Sequence, residues 1–117
     1  MMLVRARLTR AVQLLWNVPL PPSLPRETYV GEFLAAVDRA AEGFTPDLVL
    51  ISAGFDSLAG DPLGGFTLEM EDVARLTREM VSRAGQWCGG RLVSSLEGGY
   101  VPDRLGEAAV VHLRALF

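Results

Sequence analysis

Two short apolar runs, Asp47-Leu-Val-Leu-Ile-Ser52 and Arg91-Leu-Val-Ser-Ser-Leu96, constrain this chain more than any other feature. Each is nearly continuous in its apolar character, where a strand with one wet face would alternate. Such a run suits a strand buried on both faces, as in a parallel sheet covered by helices. Between the runs, Val73, Leu76, Met80, Val81 and Ala84 recur at helical spacing behind a turn rich in Glu69, Glu71 and Asp72, with Thr67 placed to cap it. Ahead of the first run, Val30, Phe33, Leu34, Val37 and Ala41 mark a helix ending at Gly43. After the second, Pro102 opens a helix with Leu105, Ala109, His112 and Leu116 along one side. The order helix, strand, helix, strand, helix predicts an α/β layered fold with parallel strands and right-handed crossovers. A sheet of two strands is thin, so the pattern reads as a piece of a larger one.

The 117 residues suffice for one domain, and half are hydrophobic, which supports a packed core. Charges are mixed in sign with a net of −3, which gives no electrostatic reason to expect nucleic acid or an anionic membrane as partner. No apolar run approaches the roughly 20 residues that span a bilayer. The single cysteine, Cys88, rules out an internal disulfide and fits a reducing, cytoplasmic setting; it reads as an inert loop residue. Arg5, Arg7 and Arg10 interrupt what a signal peptide would need as an apolar centre, while Leu8, Val12 and Leu15 suit a short amphipathic helix. Four prolines between Asn17 and Pro25 make that stretch an extended connector.

In open α/β sheets, ligands bind beyond the carboxyl ends of the strands. The loop after the first run, Ser52 to Gly65, sets Asp56 and Asp61 among glycines, and the loop after the second reads Leu96-Glu-Gly-Gly-Tyr100. A carboxylate there can hold a metal or can simply shape a turn, and a tyrosine hydroxyl can donate to a developing oxyanion. No glycine-rich nucleotide motif follows either strand, so the pattern argues against phosphate cradling.

The run Pro46 to Asp56, continued through Gly60-Asp-Pro-Leu-Gly-Gly65, resembles the histone deacetylase family, in the branch of bacterial deacetylase-like amidohydrolases and class II enzymes. Asn17-Val-Pro-Leu-Pro-Pro22, Leu76-Thr-Arg78 and Leu96 to Tyr100 are similar to further motifs of that family in the same order. The resemblance covers Asn17 to about Leu116 and leaves residues 1–16 unmatched. It implies an α/β fold of the arginase/deacetylase type, with helices on both faces of a parallel sheet, and a zinc cofactor. By the same resemblance Asp56 is a zinc ligand, Tyr100 the catalytic oxyanion donor, and Asp61 a structural residue of its loop. Leu63, Gly98 and Gly99 line the substrate's path. The implied reaction is hydrolysis of an acylated amine of the acetyl-lysine or acetylpolyamine type.

One departure bears on all of this. The family's Asp-x-His zinc ligands and its His-His pair precede Asn-Val-Pro-Leu-Pro, and here the sixteen residues before Asn17 hold no His and no Asp. His112, on the apolar side of the last helix, is expected to be structural. The zinc site is therefore incomplete in this chain, which is expected to be inactive alone. Either a missing amino-terminal half completes it, or the chain serves as a non-catalytic assembly module that self-associates through its exposed sheet edge.

Overall fold

Apolar spacing and turn chemistry set the elements of the computed structural model, which describes residues 16–117. The expected helix around Leu8 to Leu15 lies outside the described residues. The connector from Asn17 to Pro25 is irregular, and Ser23 donates its N–H to Gly65 O at 3.0 Å, tying the connector to the first long loop. Helix α1 follows at Arg26–Ala41, strand β1 at Val49–Ala53, helix α2 at Met70–Cys88, strand β2 at Leu92–Leu96 and helix α3 at Pro102–Leu116.

The two strands pair in parallel, with Val49 opposite Leu92 and Ala53 opposite Leu96. Their connection runs through α2, the crossover that parallel strands require. Val49, Ile51, Ala53 and Leu92 turn one face of the sheet toward the helices. One part of the core gathers Val30, Ala53, Phe55, Leu58, Leu68, Val73 and Ala108; the other gathers Val37, Val49, Met80, Ala84 and Cys88. Ile51 packs against both. Helix α2 lies centrally, against α1 and α3 alike.

Three local expectations need correction. Thr67 does not cap α2: its hydroxyl donates to Leu24 O at 3.0 Å, and the cap residue is Glu69, whose N–H is taken by Asp72 Oδ2 at 2.8 Å. Asp72 can serve because it sits three residues on, where a carboxylate reaches back to the free amide. Cys88 is not in a loop. It is the last residue of α2, buried, with its thiol against Ala84 O and Arg91 O, and Gly89 in the left-handed region closes the helix behind it. Finally, β2 is a strand as expected but is not covered on both faces. Val93, on the face turned away from the helices, is 55% exposed, because no element among the described residues lies beyond it.

Candidate active site

Both strands end in loops at the same edge of the sheet, and hydrogen bonds lash the loops together. The Glu97 amide donates to Ala53 O at 3.0 Å, and the Phe55 amide donates to Gly98 O at 2.8 Å. Asp61 adds a side-chain link between the loops. Its Oδ1 accepts from the Leu63 amide at 2.8 Å and the Gly64 amide at 3.2 Å, while its Oδ2 accepts from the Tyr100 amide at 2.8 Å. Desolvation raises the affinity of this carboxyl for its proton, but the three backbone donors outweigh it and hold Asp61 below its ordinary range.

Glycines let Asp56 sit where it does. A Cβ at Gly98 would lie 2.8 Å from Asp56 Oδ2 and 3.6 Å from the Tyr100 hydroxyl oxygen, so carboxylate and phenol border the same small gap. A Cβ at Gly54 would come within 3.2 Å of Asp56 Oδ1, and one at Gly64 would fall on the Asp56 carbonyl oxygen. Gly99, at φ 133, occupies a backbone region that other residues rarely adopt, and a side chain there would also strike Leu105. Asp56 and Tyr100 are thus brought together, with Gly98 and Gly99 forming the wall beside them. Leu63 stands apart at the rim, 70% exposed.

Behind the loop, Tyr29 of α1 packs edge-on against Phe66. Burial pushes its phenol up, Ser57 opposes, and the Asp56 carboxylate adds to the rise. Residue spacing gave no hint of this neighbour, because Tyr29 sits beside the apolar stripe of α1 and only the fold brings it to Asp56. His112, expected to be structural, is buried in the core, but its polar partners were not foreseen. His112 Nδ1 lies 2.7 Å from Thr77 Oγ1, and its Nε2 lies 2.8 Å from Ser94 Oγ. The signal was Thr77, a hydroxyl set within the apolar stripe of α2.

The donor set falls short of a catalytic zinc site. Such sites use about three protein ligands, and among the described residues no three His, Cys, Asp or Glu side chains gather to hold a metal. Asp56 is one carboxylate without that company.

Comparison with known proteins identifies the scaffold. A family model described as the histone deacetylase domain matches residues 6–116. The chain belongs to the histone deacetylase family. The type-2 histone deacetylase 1 of Dictyostelium discoideum is 38% identical over 100 residues, covering 86% of this chain and 7% of that protein. A probable deacetylase of Archaeoglobus fulgidus is 37% identical over 84 residues, covering 72% of this chain and 23% of that protein. The crystal structure of the HDA15 HD domain superposes with a TM-score of 0.70 at 33% identity, covering 82% of this chain and 26% of that one. The fold is accordingly that of the deacetylase domain, and the chain spans less than a quarter of the length of these curated relatives. No helix among the described residues is long and apolar enough to cross a membrane.

Proposed function

We propose that this chain is the carboxy-terminal portion of a zinc-dependent deacylase that hydrolyses acylated amines of the acetyl-lysine or acetylpolyamine type, and that it is inactive alone. The observation that carries the reading is the shared gap between Asp56 and Tyr100, built by glycines that admit no side chain. In this reading Asp56 contributes one metal ligand, and an amino-terminal half that is not in this sequence contributes the others. Tyr100 is 52% exposed, and in this reading its hydroxyl donates to the oxyanion that forms when the amide carbonyl is attacked. Asp61 positions Tyr100 by accepting its amide and sets the bend that carries Leu63 to the rim, where it would border the acyl chain.

A fluorogenic acetyl-lysine peptide, assayed with excess zinc, tests the reading. No turnover is expected from the isolated chain, and turnover abolished by Asp56→Asn would overturn the claim of inactivity while leaving the ligand assignment standing. A second reading, a non-catalytic assembly module in a cytoplasmic setting, draws on the exposed Val93, Leu96, Leu113 and Phe117. A monomer by light scattering at micromolar concentration would count against it.

A further inference from the structure

The polar group buried behind the loops has a defined direction. Thr77 Oγ1 lies 2.7 Å from Val73 O, a carbonyl that can only accept, so the threonine proton is committed there. Thr77 can then only accept from His112, which places the ring proton on Nδ1 and leaves a lone pair on Nε2. Ser94 must therefore donate its hydroxyl proton to Nε2, at 2.8 Å. The Phe55 ring stands edge-on to the imidazole at 5.8 Å and fixes its plane. Burial makes the imidazole harder to protonate than an ordinary histidine, so it is a neutral base near pH 7.

A serine hydroxyl on the free nitrogen of a histidine, with a third group setting the tautomer, is the arrangement that makes a hydroxyl nucleophilic. Here the pair borders an apolar cleft of about 440 Å³ between β2 and helices α2 and α3, lined also by Leu92, Leu96, Ala109, Leu113 and Leu116. We propose that Ser94 is an acyl-accepting nucleophile, with His112 as its base, for activated esters whose acyl group is apolar and short enough for this cleft. Ser94 Oγ bonds to the ester carbonyl carbon while its proton passes to His112 Nε2. The carbonyl–alkoxy bond then breaks, and the alcohol leaves with that proton. Water, deprotonated by the same nitrogen, then adds to the acyl carbon; the bond to Ser94 Oγ breaks, the carboxylic acid leaves, and the proton returns to Ser94 Oγ. No other side chain lining the cleft carries a donor for the oxyanion, and Thr77 lacks the charge that would stabilise an imidazolium. Both steps are therefore slow, and the acyl-serine is expected to accumulate only with an activated ester, whose leaving group departs more readily than Ser94.

The test uses the full 117-residue chain with a fluorophosphonate probe and p-nitrophenyl butyrate, with peptide mass spectrometry to locate the adduct. One adduct at Ser94 is expected, absent in Ser94→Ala and slowed at least tenfold in His112→Gln, with Ser95→Ala labelled like the parent. Absence of an adduct on chain that circular dichroism shows to be folded would overturn the proposal. So would labelling at Ser94 that His112→Gln leaves unchanged. If His112→Gln does not fold, Thr77→Val takes its place, with a severalfold slowing expected and none contradicting. The outcome is independent of zinc and of Asp56, so it stands or falls apart from the deacylase reading.

Discussion

The two strands have similar sequences, Val-Leu-Ile-Ser-Ala in β1 and Leu-Val-Ser-Ser-Leu in β2, yet the molecule treats them differently. β1 is buried at both ends, with Val49 wholly inaccessible and Ala53 under Phe55 and Leu58, whereas β2 leaves Val93 and Leu96 more than half exposed. The difference teaches that an apolar run records the neighbours a strand is meant to have, and that β2 is written for cover that the described residues do not supply. The relatives, several times longer than this chain, give that reading its context.

The sharpest way to break the comparison is at the loop end that β1 and β2 share. Gly64→Ala puts a methyl group onto the Asp56 carbonyl, which the backbone cannot yield to without opening the loop. The expected loss is about 3 kcal/mol or more, seen as a lower midpoint in urea. Leu58→Ala, in the same loop and 2% exposed, is expected to cost about 2–4 kcal/mol. Val93→Ser on the open face of β2 is expected to change stability by no more than about 0.5 kcal/mol, and an effect as large as that of Leu58→Ala would show that β2 is covered after all.

A pH series sharpens the contrast in a smaller way. His112 binds its proton less readily when folded than its ordinary value of 6.5, so the unfolded chain takes up more protons as the solution turns acid. Its contribution is fully present above about pH 6.5 and declines below it, and His112→Gln should flatten that decline. Asp61 works from the other side of the scale. Its depressed carboxyl supports the folded state above its ordinary value of 3.8, and that support is lost as pH falls through the folded value. In Asp61→Asn, thermal melts between pH 5 and pH 2 should show a correspondingly shallower acid limb.

Periodicity made the five elements and their order legible, because period 3.6 and short apolar runs differ over windows of this length. It could not show that Asp72 would supply the α2 cap, since Thr67 is as good a capping residue in isolation and only the contact with Leu24 draws it away. The pairing of Asp56 with Tyr100 needed the fold, because 44 residues separate them in sequence and two glycines decide how closely they approach. The surroundings of Tyr29 and the partners of His112 needed the fold for the same reason: the first join α1 to the β1–α2 loop, and the second join α3 to α2 and β2.

Equilibrium dialysis of zinc against the isolated chain, with Asp56→Ala alongside, asks whether Asp56 can hold the metal without further ligands. No stoichiometric zinc is expected at micromolar free metal, and no difference between the two proteins, since Asp56 has no partner ligands among the described residues. One tightly held zinc per chain, lost in Asp56→Ala, would contradict that expectation and show that the chain completes its own site.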